Sequence, residues 1–454
     1  AAPSVLQLAQ CQSLVPVSLA LDATASGGSN LNGVFEPGEA CVIEPGWNNQ
    51  NGFAVAAVTT CLLGHLMRQA GGEAAEDAVE SMRRVEGLAI VAGSWLLLAW
   101  LAGIPYLWNG LGQIDALFEG MSGLTTTGAT VFRDFSLYGR SIFFWRALTS
   151  WLGGMGVIAL FVAILPRLAI GGRELFFAEM SGHDDEKVAP QIRRTAALLW
   201  QLYALFTVLQ IVALLLAGYP RFEAICTTFA TISAGGFLPH PQSINGYANP
   251  AAEWVIIAFM FVAGANFTLQ YRALFRQDLR LLVKDEELRA YAGVVLLATV
   301  FLAISIRGFV DAGTEVRHAL FQVLSIITTS GFASVDYQIW NDQAKMVLLG
   351  LMFIGACAGS ASGGPKIVRH LLLAKFTLQE LRRTLHPRAV LPVKLNGRVV
   401  APSVMQGVIV FFLFYMLTFA VCTAIVILLG ADMVTGISAT AATLSNVGPG
   451  FNQV

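Results

Sequence analysis

The sequence predicts an all-α membrane protein that crosses the bilayer many times, and three observations predict it. Hydrophobic residues make up 56% of the 454 and charged residues 13%, against about 45–50% and about 25% in a soluble domain. Mean hydropathy is +0.65. Apolar runs of span length recur along the chain, and in lipid only a helix satisfies every backbone polar group within such a run. Lys+Arg 28 and Asp+Glu 29 leave a net charge of −1, which excludes the basic field that holds nucleic acid. The six cysteines are scattered, without a CxxC pair or histidines at ligand spacing, so neither a zinc site nor a disulfide framework is indicated.

The elements follow in order. Residues 1–50 hold no Lys or Arg, and residues 3–21 read as a signal-like or first membrane helix that lacks the basic flank of either; the role of that segment stays open. A weak span at 52–67 belongs to an N-terminal region, 1–84. Spans follow at 87–108, 143–166, 195–218, 253–271, 289–306, 346–376 (interrupted) and 404–430. Between them lie shorter apolar stretches around 114–127, 222–234, 317–329 and 434–446, a length that suits re-entrant helices better than full spans. If each short stretch enters and leaves on one side, only Arg133, Arg140, Arg146, Arg221, Arg307, Arg317 and Lys345 fall outside or within a helix. The other 21 of the 28 basic residues then lie inside, as the positive-inside rule requires.

The short stretches repeat. Aligned on Gly128, Gly236, Gly331 and Gly448, each has a small residue twelve positions earlier (Ala116, Ala224, Ala319, Gly436) and a branched aliphatic at eleven (Leu117, Ile225, Leu320, Ile437). A second aliphatic stands at four (Leu124, Ile232, Ile327, Leu444), and a hydroxyl at three (Thr125, Ser233, Thr328, Ser445). The unit is span, short helix, hydroxyl-and-glycine loop, span. It divides the chain into repeats at 85–170, 190–280, 285–380 and 400–454, the last incomplete.

Ion permeation supplies a physical reason for such a unit. A short helix ending inside the membrane points its negative carbonyl end at the centre, where a cation lacks hydration. An extended loop after it, freed by glycine, turns carbonyls inward, and four copies around one axis replace the ion's water shell. A small-residue packing surface explains any single loop as well, but not four aligned ones.

These loops resemble the selectivity-filter loops of the Trk/Ktr/HKT superfamily of potassium transporters, over about residues 85–451, and are most like the bacterial TrkH/KtrB type. The resemblance implies four channel-like repeats around a central pore, preceded by an extra N-terminal membrane segment. Four filter glycines go with potassium, whereas serine at the first goes with sodium-transporting members. All four glycines are present. The resemblance implies K+ as the bound and transported ion, held at Thr126, Thr127, Gly128, Ala234, Gly235, Gly236, Thr329, Ser330, Gly331, Asn446, Val447 and Gly448.

The run from Gly355 to Lys366 cannot stay an uninterrupted helix, because glycine costs about 1 kcal/mol and proline about 3 in a helix interior. A kink for close packing is one reading. The resemblance favours a gate beneath the filter at 355–364, with Gly355, Gly359, Ser360, Gly363 and Gly364 as its hinge and lining residues. It also implies a further span with an arginine after the fourth loop, expected in a longer chain than one ending at Val454. A homodimer, a cytosolic nucleotide-binding regulatory subunit of the TrkA/KtrA type, contact with membrane lipid, and placement in the bacterial cytoplasmic membrane are implied likewise. No organic cofactor is expected.

Several other residues carry competing readings. Arg146 in a span either tunes ion passage or snorkels. Glu119, Asp134 and Asp336 near the pore mouth either concentrate cations or are ordinary solvated acids. The loop Gly182–Lys187 resembles a metal cluster only superficially, and Asn266 is expected to hydrogen-bond across helices. The function predicted is potassium uptake by a non-enzymatic transporter. A sodium-permeable or weakly selective cation transporter of the same fold is the alternative, and a membrane-embedded enzyme or a non-conducting assembly partner are remoter rivals.

Overall fold

A computed structural model describes residues 84–163, 188–275, 278–386 and 391–451. The expected segments at 3–21 and 52–67, and the loop at 182–187, lie outside the described residues.

The first repeat has α1 (Arg84–Trp108), α2 (Gln113–Leu124) and α3 (Arg140–Ala163). The second has α4 (Val188–Leu216), α5 (Arg221–Ile232), α6 (Pro250–Gly264) and α7 (Phe267–Phe275). A short α8 (Arg280–Lys284) leads to the third, α9 (Glu286–Ser305), α10 (Glu315–Ile327), α11 (Asp342–Met352) and α12 (Ile367–Leu385). A two-stranded antiparallel hairpin, β1 (Lys394–Leu395) with β2 (Arg398–Val399), precedes the fourth, α13 (Pro402–Leu428) and α14 (Met433–Leu444).

Ala197–Leu216, Glu286–Ser305 and Pro402–Leu428 are long and apolar enough to cross a membrane unbroken. Their large side chains are exposed where a soluble helix would carry charge: Val208, Leu209, Leu296, Leu297, Phe414 and Leu417 all face outward. An exposed apolar surface of this extent marks contact with lipid.

Each short helix packs on the span before it, α2 on α1, α5 on α4, α10 on α9 and α14 on α13. Each of the last three also packs on the outgoing span of the preceding repeat, α5 on α3, α10 on α6 and α14 on α11. The repeats therefore interlock in sequence order. In the first and fourth repeats the small residue twelve positions before the loop glycine belongs to the first contact: Ala116 meets α1 where a Cβ on Gly103 would lie 2.9 Å from its carbonyl oxygen, and a Cβ on Gly436 would lie 2.7 Å from Ile427 of α13.

One expected span is not continuous. Residues 253–271 form two helices, α6 and α7, bent by 101° at Ala265–Asn266. The Asn266 side chain accepts from the N–H groups of Thr268 (2.8 Å) and Leu269 (3.0 Å), and so caps the start of α7. The interruption expected in 346–376 is present as a non-helical segment between Met352 and Ile367.

Candidate ion filter and its gate loop

All four short helices end alike. At the position three before the glycine, the N–H of Thr125, Ser233, Thr328 and Ser445 closes the last α-turn. The hydroxyls of Thr125, Ser233 and Thr328 bond back to the carbonyl four residues earlier, at 2.6 to 2.7 Å, while Ser445 bonds the Tyr415 hydroxyl instead, at 2.6 Å. The next residue turns left-handed in every loop: Thr126 (φ 59°), Ala234 (56°), Thr329 (60°) and Asn446 (63°). The one after that sends its N–H back to the carbonyl five residues earlier, at 2.7 to 2.9 Å. The glycine is left-handed again, with φ of 78°, 73°, 68° and 96°.

The loops are thus not extended, as the sequence suggested, but alternate in handedness. Alternation turns successive carbonyls toward one side, whereas an extended chain would send them to opposite sides. It also places β-branched Thr126 and Thr329 in a region that costs such residues about 1–2 kcal/mol. Strain of this kind persists only where surrounding contacts enforce it.

The four loops close into a ring. A Cβ placed on Gly128 would lie 2.6 Å from the carbonyl oxygen of Gly235, and one on Gly236 would lie 2.7 Å from that of Ser330. A Cβ on Gly331 would overlap the carbonyl oxygen of Val447, and one on Gly448 that of Thr127. Each glycine meets the carbonyl just before the next loop's glycine, in the order one, two, three, four, one. The predicted filter residues of all four loops are therefore gathered at one place, with carbonyl oxygens packed against glycine backbone.

Comparison with known proteins decides the family. The family model described as TrkH, cation transport protein, matches residues 73–452. The chain belongs to the TrkH family. It is 39% identical over 376 residues to the Trk system potassium uptake protein TrkH of Salmonella typhimurium, covering 81% of this chain and 78% of that one. It is 36% identical over 409 residues to the protein of the same name from Halomonas elongata, covering 88% and 84%. The crystal structure of the potassium transporter TrkH from Vibrio parahaemolyticus superposes with a TM-score of 0.74 at 36% identity, covering 82% of this chain and 78% of that one.

In this TrkH-family chain the segment between α11 and α12 lies directly against the filter loops. Gly355, Gly359 and Gly364 are left-handed, with φ of 72°, 69° and 65°. The Gly363 N–H donates to Thr329 Oγ1 (2.7 Å), and a Cβ on Gly363 would lie 2.5 Å from Asn446 Cβ and 2.8 Å from the Ser445 carbonyl oxygen. The segment is tied down at several points. Its Ala358 N–H donates to Glu287 of α9 (2.6 Å), its Gly359 carbonyl accepts from Phe267 N–H at the bend (3.1 Å), and Ser360 and Ser362 share a hydrogen bond (2.8 Å). Lys366, buried, donates to the Ser362 carbonyl and to its hydroxyl (3.1 Å). The five predicted gate residues thus sit within one buried or half-buried segment touching loops three and four.

Other predicted residues take different places. Arg146 neither snorkels nor reaches the filter carbonyls; it is 2% exposed and pairs with Glu119, 0% exposed, at 3.2 Å. Asp134 and Asp336 cap short 3-10 turns by accepting from Ser136 and Gln338 N–H groups, both at 2.9 Å. The Ser136 hydroxyl (2.7 Å) and then the Ser136 N–H hold the Asp134 carboxyl below the usual carboxylate range. Sequence reasoning missed Ser150, Gly153 and Gly154 of α3: a Cβ on Gly153 would overlap the Leu124 carbonyl, and one on Gly154 would lie 2.8 Å from Ser233 Cβ. The run Trp151-Leu152-Gly153-Gly154-Met155-Gly156 carries that signal as closely spaced glycines in a span.

Proposed function

We propose that this chain is the ion-translocating subunit of a potassium uptake system in the bacterial cytoplasmic membrane. Potassium would shed water and be held by carbonyl oxygens of Thr126, Thr127, Ala234, Gly235, Thr329, Ser330, Asn446 and Val447. The observation that carries this reading is the closed ring in which each loop glycine abuts the carbonyl before the next loop's glycine. The names of the relatives, potassium uptake proteins at 36–39% identity over most of the chain, support the choice of ion.

Residues 355–364 act as the gate. The contacts of Gly363 with Thr329 and Asn446 support that role, since a segment bound there obstructs the inner side of the ring until it moves. The repeats span residues 85–170, 190–280, 285–380 and 400–454. The chain works as a homodimer and together with a cytosolic nucleotide-binding regulatory subunit; relatives named as parts of a Trk system support its association with further components.

The test is uptake of K+ and Na+ into liposomes holding the purified protein. Potassium uptake that exceeds sodium uptake is expected. Equal uptake of the two ions would move the assignment to a weakly selective cation transporter.

A further inference from the structure

Taking the four loops as the ion filter, we propose that Glu119 and Arg146 are positioning residues that set its preference for potassium over sodium, although neither touches the ion path. Glu119 holds the outgoing limb of loop one. Its Oε1 accepts from Thr130 Oγ1 (2.5 Å) and from the Val131 N–H (2.7 Å), while its Oε2 pairs with Arg146 Nε (3.2 Å). The Arg146 guanidinium in turn lies over Phe132 of loop one at 4.6 Å and over Phe237 of loop two at 4.0 Å from the ring centroids. Phe237 directly follows the filter glycine Gly236. One ion pair therefore anchors two neighbouring loops just outside their glycines.

Comparison among the repeats shows what the pair does. The anchored group is the N–H three residues after each filter glycine. In loop three it belongs to Ser334; with the Gln322 amide assigned in the orientation that the neighbouring Phe332 carbonyl and Ser334 N–H require, its oxygen accepts that N–H at 2.9 Å and its nitrogen donates to the carbonyl at 3.2 Å. Gln322 stands nine residues before Gly331, as Glu119 stands nine before Gly128. In loop four the N–H belongs to Phe451 and Ser438 Oγ accepts it, at 3.0 Å. In loop two the residue is Pro239, which has no N–H to hold. Every loop that offers this N–H has it held by a side chain of its own short helix, through three different chemistries.

Charge itself is not the purpose. The pair is fully buried and formally neutral, so it adds little to the cation concentration at the mouth. Repeat three manages with an uncharged amide, and there Leu348, six residues into α11 as Arg146 is six into α3, is buried in apolar surroundings. What the repeats share is the grip on the loop. A filter that discriminates by the number and placement of carbonyls loses discrimination when one limb is freed.

Two double variants separate grip from charge. E119Q/R146L rebuilds the arrangement of repeat three and keeps an acceptor for Val131; E119L/R146L fills the same space but removes the acceptor. Both replace a buried pair as a whole, which avoids stranding one charge. Uptake of K+ and Na+ is measured in liposomes, with thermal unfolding of each protein alongside. Wild type reads the filter assignment itself: without a potassium preference there, that reading falls. Given a wild-type preference, E119Q/R146L is expected to keep it within about threefold and E119L/R146L to lose about tenfold, the ratio for one unmet buried hydrogen bond. Preference retained in both doubles, or lost equally in both, overturns the proposal. If E119L/R146L does not assemble, T130V takes its place: it removes the hydroxyl that meets Glu119 and that accepts from the Phe132 N–H (3.1 Å), and so frees the same limb of loop one; an unchanged ratio in T130V overturns the proposal equally.

Discussion

Adding a single carbon to Gly128 tests the ring most directly. The Cβ of serine would lie 2.6 Å from the Gly235 carbonyl oxygen and 3.2 Å from Gly236 Cα. A carbon and a carbonyl oxygen normally approach no closer than about 3.3 Å, so one of the two loops must give by roughly 0.7 Å. The left-handed φ of 78° adds about 1–2 kcal/mol for any residue with a Cβ. Loop one has little slack to absorb the shift, because Thr126 is already left-handed and the Thr127 N–H is bonded to Ser122 at 2.9 Å. The Gly235 carbonyl therefore moves, and a change of about 1.4 kcal/mol in its interaction with either ion is tenfold in the ratio. The assay is K+ and Na+ uptake by Gly128→Ser and Gly128→Ala proteins in liposomes. Both should lose potassium preference by about tenfold or more, the alanine variant showing that the carbon and not the hydroxyl is responsible. A folded Gly128→Ala protein with wild-type preference would refute the steric argument.

Three other perturbations have definite outcomes. Lys366→Met removes the bonds that pin Ser362, so the gate loop should loosen: potassium uptake rises several-fold with the K+/Na+ ratio unchanged, read in the same flux assay. Asn446→Leu breaks its bonds to the Thr125 carbonyl (2.9 Å) and Thr127 hydroxyl (2.5 Å), the tie between loops four and one. The Thr127 hydroxyl keeps its bond to Thr125 Oγ1 (2.7 Å), but leaving the Thr125 carbonyl unmet should cost about 1–3 kcal/mol, seen as a lower unfolding midpoint together with reduced potassium preference. Asn266→Ala removes the cap of α7 and should cost about 1 kcal/mol in stability without altering the ratio, measured by thermal unfolding and ion competition.

Much of the architecture was legible because the membrane simplifies the code. Apolar runs must be helices, and a stretch too short to cross, such as 222–234, must turn back. The position of the ring was legible from one column of glycines, since the ring contact allows no Cβ at Gly128, Gly236, Gly331 or Gly448. The bend at Ala265–Asn266 was less so. Val262, Ala263 and Gly264 read as continuing helix, and the capping role of Asn266 depends on the bend being there. The left-handed turn before each glycine is filled by Thr, Ala, Thr and Asn, of which only asparagine favours that conformation, so no column announces it. The partnership of Glu119 and Arg146 joins residues from two helices and was invisible along the sequence.

The weakness of the repeat outside a few columns has its own physical logic. In a ring of identical subunits one side chain serves every interface, but here each junction between loops occurs once and is locked by its own chemistry. Loops one and two meet across Arg146 and Phe237, and loops two and three through the Ser243 hydroxyl and the Asn245 N–H, both bonded to Ala333. Loops four and one meet through Asn446 and Thr127, while loop three reaches the gate through Thr329. Four-fold likeness is confined to the backbone that closes the ring, hence to the hydroxyl cap, the left-handed turn and the glycine. Asymmetry behind that backbone lets the segment 355–364 bond to loop three and abut loop four through Gly363. Exchanging Asn446 for the threonine that fills its position in loops one and three should therefore harm selectivity, even though it makes the ring more symmetric.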